Sequence, residues 1–276
     1  MMNELDQQWR DWLQGNLDRK CDPQELADIL LRHGFSAAAI GKAMGARAPG
    51  RLALQNAAPI DYAALADIPA RRLSALSGAA EVESEGAQIF VIENFLDEET
   101  CAALVRIIEL NLRASTVTVD SNDQSFRTSR TCDLGLLKHN VVREVDLKIA
   151  RALGVRRAFS ESIQAQKYEI GQEFKSHTDY FEPGTREYAQ FGRTMGNRTW
   201  TFMIYLNDVE AGGGTHFFQI DKIFFPKRGR AVAWNNLYKD GSPNPKTRHA
   251  GEPVLAGEKV IITKWFREKG AGRMFY

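Results

Sequence analysis

The sequence predicts a mainly β domain with flanking helices (α+β), a sandwich or jelly roll with helices packed on one side, behind a small N-terminal helical appendage. Three observations carry this. Short β-forming runs separated by Gly-, Asn- and Pro-containing turns dominate the second half of the chain. Amphipathic helical spacing precedes them, and the first fifty or so residues hold three short helical patterns of their own.

In chain order, Leu5, Trp9, Trp12, Leu13 and Leu17 fall at helical spacing. Asp22-Pro23-Gln24-Glu25 reads as an N-cap, a proline at the first helical position and an acid three residues after the cap. The helix it opens carries Leu26, Ile29 and Leu30 on one stripe and can end at Gly34 in a left-handed C-cap. Ser36 can cap a third helix carrying Ile40 and Met44, closed by Gly45. Residues 1–46 are thus expected to form a helical appendage that packs or docks a partner. Residues 47–87, rich in Ala, Pro, Gly and Ser, read as a linker containing some helix, with periodicity from Tyr62 to Leu76.

From residue 88 to 276 the character is that of one domain. Ile89–Ile92 is a short buried-type strand, and Asp97 caps an acidic first turn leading into a helix with Leu104, Ile107 and Ile108. A second helix is expected near Val141–Leu153. Strands follow at Ile163–Glu169, Thr199–Leu206, His216–Ile220, Ala231–Asn235 and Lys259–Phe266, with turns at Glu210-Ala-Gly-Gly-Gly and Asp240-Gly-Ser-Pro-Asn-Pro.

Composition excludes several classes. Lys plus Arg number 36 against 35 Asp plus Glu, so no global field draws in nucleic acid or an anionic membrane. No apolar run is long enough to cross a bilayer, and the polar, acidic N-terminus does not read as a secretory signal. Cys21, Cys101 and Cys132 are odd in number and widely spaced, which points to a reducing, cytoplasmic compartment and away from a disulfide framework.

Among five histidines (His33, His139, His177, His216 and His249), His177 lies two residues before Asp179. On a strand, residues two apart share a face, so imidazole and carboxylate would converge. His249 can complete a set of two histidines and one carboxylate, which leaves three octahedral positions open and suits non-haem Fe(II). Zinc would accept the same ligands, so the triad alone does not name the metal. Lys259 follows ten residues after His249 among apolar, strand-forming residues. Facing inward it would need an anion, because a buried unpaired ammonium costs several kcal/mol. A dicarboxylate held by a metal at one end and by Lys259 at the other would meet that need. His216, next to Thr215 on a strand, should point away from whatever Thr215 faces.

Residues from about 162 to 268 resemble the catalytic core of the prolyl 4-hydroxylase family of Fe(II)/2-oxoglutarate-dependent dioxygenases. The resemblance runs through Gln166-Lys-Tyr-Glu-Ile-Gly-Gln, His177-Thr-Asp179-Tyr-Phe and Arg198-Thr-Trp-Thr-Phe-Met-Ile-Tyr-Leu-Asn-Asp-Val. Gly212-Gly-Gly-Thr215, Trp234-Asn-Asn, His249-Ala-Gly-Glu-Pro-Val and the stretch from Lys259 to Lys264-Trp265 complete it. It implies a double-stranded β-helix, with Fe(2+) on His177, Asp179 and His249. It further implies 2-oxoglutarate on Lys259, Thr215 and Tyr168, O2 as second cosubstrate, and L-ascorbate as a further cofactor. Arg198 and Trp265 match positions on the substrate side.

The implied reaction hydroxylates an aliphatic carbon of a prolyl or other amino-acid residue in a peptide or protein, releasing CO2 and succinate. Two departures, Gly214 where the family has an acid and Arg267 where many members have histidine, touch the substrate side. The polar segment Glu182–Asn197 stands where a lid is expected, and Arg127-Thr-Ser129 could form another wall. The rival readings are the same chemistry on a free small molecule or a nucleic-acid alkyl group, a cupin-like metal sensor without turnover, and a zinc hydrolase. Nucleic acid is disfavoured by the neutral net charge, and no membrane partner is expected.

Overall fold

A computed structural model describes residues 4–18, 23–32, 35–49, 60–114, 128–182 and 185–276. The chain divides into two compact units, Met1–Ile60 and Asp61–Tyr276.

The first unit holds helices α1 (Gln7–Asp18), α2 (Pro23–Arg32) and α3 (Ala37–Met44). Their apolar stripes meet in one buried cluster that includes Leu13, Leu17, Leu26, Leu30, Phe35, Ile40 and Met44. Trp9 lies edge-on to Trp12 and Phe35, with ring centroids 5.3 and 5.7 Å away. Ser36 caps α3 by accepting from Ala39 N, as its sequence context predicts. The expected caps at Asp22 and Gly34, together with Cys21 and His33, lie outside the described residues.

In the second unit, α4 (Tyr62–Ser74) contains Pro69 in its interior. Proline has no N–H, so the Leu65 carbonyl four residues back loses its helical donor. Trp200 Nε1 supplies one instead, at 2.7 Å, so the helix break becomes the point at which α4 is tied to the sheet.

The remaining elements are β1 (Ala79–Glu81), β2 (Ile89–Ile92), α5 (Glu98–Glu109), β3 (Arg113–Ala114), β4 (Arg130–Cys132), α6 (Asn140–Leu153), β5 (Gln164–Tyr168), β6 (Phe174–His177), α7 (Arg193–Met195), β7 (Arg198–Tyr205), β8 (Ala211–Gly212), β9 (Thr215–Phe217), β10 (Lys222–Phe224), β11 (Ala231–Asn235), β12 (His249–Gly251), β13 (Val254–Ala256) and β14 (Lys259–Arg267). Eight strands form a major sheet in the order β1-β2-β11-β7-β14-β5-β4-β3. Four form a minor sheet, β10-β9-β12-β6, and β13 pairs with β8.

The layers follow from period-two burial. On β7 and β14, Trp200, Phe202, Ile204, Val260, Ile262 and Phe266 point to one side, where they pack with Leu73 of α4, Leu104 and Ile108 of α5, and Val145 and Ile149 of α6. Met203, Tyr205 and Ile261 point to the other, where they meet Phe217, Phe224 and Trp234 between the sheets. Both faces of these strands are covered, so they read in the sequence as continuous apolar runs. The expected strand His216–Ile220 is instead β9 followed by a 3-10 turn at Phe218–Ile220. Asp221, at φ 50°, reverses the chain there so that β10 pairs back on β9.

Candidate active site

The minor sheet brings the two site histidines together. β12 pairs antiparallel with β6 so that His249 lies directly opposite His177, with ring centroids 4.4 Å apart. His177 closes β6, and Asp179 sits in the bend just beyond it rather than on the strand. The carboxylate still converges: Oδ1 is 3.9 Å from His177 Nε2, and one ligand atom from each of the three residues lies within 4.8 Å of the others. This is the one such group of three or more His, Cys, Asp or Glu among the described residues.

Both imidazoles are held in the form a metal needs. His177 Nδ1 lies 2.8 Å from the Lys175 carbonyl, and His249 Nδ1 lies 2.9 Å from the Thr247 carbonyl. A carbonyl only accepts, so each Nδ1 carries the proton and each Nε2 presents its lone pair. Phe174 stacks on His177 at 3.6 Å, while Phe217 stacks on His249 and Trp234 meets it edge-on. Burial pushes the Asp179 carboxyl up. Its neighbours His249, His177 and Arg198 and a hydrogen bond from Thr201 more than offset this, holding it below the usual carboxylate range. The donor set fits a divalent metal.

Lys259 opens β14 opposite Tyr168 of β5 and is 1% exposed. Its Nζ donates to the Gly213 carbonyl at 2.9 Å and lies 4.4 Å from the centre of the Tyr168 ring. Among the described residues no carboxylate pairs with it. Burial pushes the ammonium down to about 8, with the more distant Glu252 pulling the other way. A Cβ at Gly251 would lie 3.3 Å from Nζ, so glycine there leaves the ammonium room. Tyr168 donates to Gln166 Oε1 at 2.7 Å. Thr215 Oγ1 is 2.7 Å from the Tyr205 hydroxyl, whose single proton the Phe224 carbonyl also attracts at 2.8 Å.

His177, Asp179, His249, Lys259, Thr215, Tyr168 and Trp265 all wall one cavity between the sheets, with the ligand triad and the lysine on the same space. Arg198 is not among the residues that wall it. Its guanidinium lies 4.0 Å from the Trp265 ring and 4.8 Å from Phe181, and it grips Glu161 with two hydrogen bonds of 2.7 and 2.8 Å. Arg267 joins the same Glu161 at 2.7 Å. Both guanidinium charges hold the half-buried Glu161 carboxyl below its usual range despite its burial. Arg198 also reaches the Asp179 carbonyl at 3.5 Å, so it braces the backbone behind the ligand. His216 turns away from the cavity and lies 3.1 Å from Glu252, as alternation with Thr215 requires.

The expected lid, Glu182–Asn197, contains a π-helical turn at Tyr188–Gly192, and its residues 183 and 184 lie outside the described residues. Its two ends are stapled together. Asn197 accepts from Phe181 N at 2.8 Å and donates to Phe181 O at 2.9 Å, while Glu268 accepts from Asn197 N at 2.8 Å and from the Tyr62 hydroxyl at 3.0 Å. Arg267 donates to the Phe191 and Gly196 carbonyls, so the residue that departs from the family pattern is bound to this segment. At the other departure, a Cβ on Gly214 would lie 3.1 Å from Glu252 Oε2, so an acid from β12's flank stands beside the position. Arg127, at the expected further wall, lies outside the described residues. Asn197→Ala is expected to cost about 2–3 kcal/mol, because two buried backbone groups of Phe181 lose their partners. Urea unfolding checks this, with Asn197→Asp, which keeps the acceptor alone, falling between.

Four supporting residues escape sequence reasoning. Glu161 and Asn197 have no local signal, since their partners are distant in sequence. Thr201 and Asn236 do leave one: each is a polar residue, fully buried, within or next to an apolar strand.

Residues 163–267 match the model of the 2OG-Fe(II) oxygenase superfamily. Prolyl 4-hydroxylase subunit alpha-2 of Gallus gallus is 36% identical over 146 residues, 53% of this chain and 27% of that protein. Subunit alpha-1 of Homo sapiens is 32% identical over 155 residues, 56% of this chain and 29% of that one. The chain therefore spans less than a third of the length of these relatives.

Two solved structures share the fold. The viral collagen prolyl hydroxylase of Paramecium Bursaria Chlorella virus-1, in complex with 2OG, aligns with a TM-score of 0.52 at 22% identity, covering 65% of this chain and 95% of that one. A Trichoplax adhaerens prolyl hydroxylase bound to a hypoxia inducible factor peptide gives 0.51 at 14% identity, over 75% and 90%. The core is a jelly roll, and the resemblance read from the sequence holds in the family match and in the relatives.

Proposed function

We propose that the chain is an Fe(II)- and 2-oxoglutarate-dependent dioxygenase, hydroxylating a prolyl or other amino-acid residue of a peptide or protein. The observation that carries this reading is Lys259. A buried ammonium with one carbonyl partner, on the same cavity as a two-histidine, one-carboxylate set, is a receptor for the far end of an anion held by the metal. When bound, Fe(II) with 2-oxoglutarate and O2 supplies the oxidation, releasing CO2 and succinate, with L-ascorbate as a further cofactor.

The chain's own residues bind and orient. His177 and His249 offer Nε2 lone pairs with their Nδ1 protons already committed, and Asp179 supplies the compensating charge. Lys259 takes the far carboxylate of 2-oxoglutarate, for which the Thr215 and Tyr168 hydroxyls are further donors, in exchange for the Met203 sulfur and the Gln166 oxygen to which they now donate. Trp265, held against the Arg198 guanidinium, faces the substrate side of the cavity. The peptide substrate class is carried by the prolyl 4-hydroxylase relatives. No glutamate among the described residues walls the cavity, which disfavours a zinc hydrolase with a general base. The first unit is proposed as a docking appendage. No helix among the described residues is long and apolar enough to cross a membrane, and the free thiols Cys101 and Cys132 are in keeping with a reducing, cytoplasmic setting.

The test is succinate release from 2-oxoglutarate with Fe(II), in air and under nitrogen. O2-dependent succinate is expected even without the peptide. Its absence, with metal bound, would overturn the enzyme reading. A pH profile adds a second check. The cosubstrate binds the protonated ammonium, and burial has already lowered Lys259 to about 8. Affinity for 2-oxoglutarate should therefore hold steady below that pH and fall roughly tenfold per unit above it. Calorimetry with Mn(II) in place of iron reads this directly, and a flat profile from pH 7 to 9.5 contradicts Lys259 as the anchor.

A further inference from the structure

We infer that Thr201 and Asn236 act as a pair of positioning residues that hold Asp179 to one-oxygen coordination of the metal. The inference rests on the metal-site reading above and deepens it.

The geometry leaves little freedom. Asp179 Oδ2 is 2.7 Å from Thr201 Oγ1, and the carboxylate is buried at 5% exposure. An ionised carboxylate only accepts, so the single Thr201 proton points at Oδ2. The Thr201 oxygen then needs a donor of its own, and Asn236 Nδ2 provides it at 2.9 Å. That requirement fixes which way the Asn236 amide faces and leaves its Oδ1 buried without a partner. Asn236 is itself pinned by its backbone, donating to the Thr199 carbonyl at 2.6 Å and accepting from Asn244 N at 2.9 Å.

An unsatisfied buried carbonyl costs stability, so the arrangement keeps the Asn236 donor on Thr201 at the expense of its own acceptor. The other carboxylate oxygen, Oδ1, is the one that faces His177 Nε2. A carboxylate can take one or two metal positions. With two histidines and one aspartate oxygen, three of six octahedral positions stay free, enough for a chelating 2-oxo acid and one further ligand. A two-oxygen aspartate would fill the last of them. A hydrogen bond from Thr201 to Oδ2 opposes that outcome and also aims Oδ1.

The experiment uses the full chain with Mn(II) as probe and needs no turnover. In Thr201→Val, the Mn(II) dissociation constant should rise roughly 10- to 100-fold, the range expected when a group supporting a ligand is lost. With 2-oxoglutarate saturating, water-proton relaxation should show an exchangeable water on wild-type Mn(II) and its loss in Thr201→Val. Thr201→Ser keeps the hydroxyl and should match wild type in both measurements. Unchanged affinity and water exchange in Thr201→Val overturn the inference while leaving the metal site standing. So does a tenfold loss in Thr201→Ser, a result that holds even if the valine protein fails to fold. Wild type that binds no Mn(II) overturns both readings.

Discussion

Lys259→Met is expected to yield a folded protein, more stable than wild type at neutral pH, that needs at least about thirtyfold more 2-oxoglutarate for half-maximal succinate release. The two effects have one cause. Lys259 is 1% exposed, with one hydrogen bond, to a backbone carbonyl, and a ring face beside it. In the cosubstrate-free protein its charge is poorly compensated, which is why burial pushes the ammonium down to about 8. Methionine has similar length and no charge to desolvate, so replacement relieves the fold. The sign with pH follows. The folded pKa lies below the unfolded one, so the lysine's cost is fully present below about 8 and fades as pH rises through the ordinary lysine value near 10.5. Melting temperatures of wild type and variant should differ at pH 7 and converge near pH 10.5. Losing one partner of a buried charge pair costs about 2–5 kcal/mol of binding, at tenfold per 1.4 kcal/mol, which gives roughly thirtyfold or more. Mn(II) affinity should not change. A variant that melts lower than wild type at pH 7 and binds 2-oxoglutarate normally would make Lys259 a structural residue.

What made Lys259 visible in the sequence was its setting in a long strand. β14 spans Lys259–Arg267, and its period of two puts Ile261, Thr263 and Trp265 on the face of Lys259, which the structure turns to the cavity. The helices α5 and α6 were equally legible, because amphipathic spacing and the Asp97 cap are local features. In the minor sheet only β9 was, in part. β6 and β12 are four and three residues long and rich in polar residues and glycine. Neither carries enough alternation to mark a strand, and the pairing that sets His249 opposite His177 is a register between segments 72 residues apart.

The structure brings His177, Asp179 and His249 together, but not with the local geometry the spacing implies. His177 and Asp179 were expected on one strand face, whereas Asp179 reaches the metal position from a bend, steadied by the Asn197 staple on Phe181. The tie between Trp200 and the Leu65 carbonyl freed by Pro69 was hidden for the same reason. A proline in a helix pattern signals a free carbonyl four residues back, but nothing local says which distant donor will take it.

Asp179→Asn is expected to abolish turnover and to weaken Mn(II) binding by more than the 10- to 100-fold typical of losing a supporting residue. The amide is the same size as the carboxylate, so the fold should survive, and the argument concerns orientation. Thr201 directs its proton at whatever stands where Oδ2 now is, because Asn236 already donates to the Thr201 oxygen. An asparagine at 179 must therefore turn its oxygen to Thr201. Its NH2 is left facing His177 and His249, aiming two hydrogens at the place where a cation would sit. Removing Thr201's proton removes that bias. Asp179→Asn combined with Thr201→Val should bind Mn(II) more tightly than Asp179→Asn alone, because the amide can then rotate and offer its oxygen to the metal. In the wild-type background the same Thr201→Val change weakens binding, so the sign of its effect reverses with the residue at 179. Such a reversal in a double-mutant cycle is the signature of a direct interaction rather than of two independent losses of stability. Additive effects would place Thr201 outside the ligand's orientation, and an Asp179→Asn protein that keeps both metal and turnover would remove Asp179 from the ligand set.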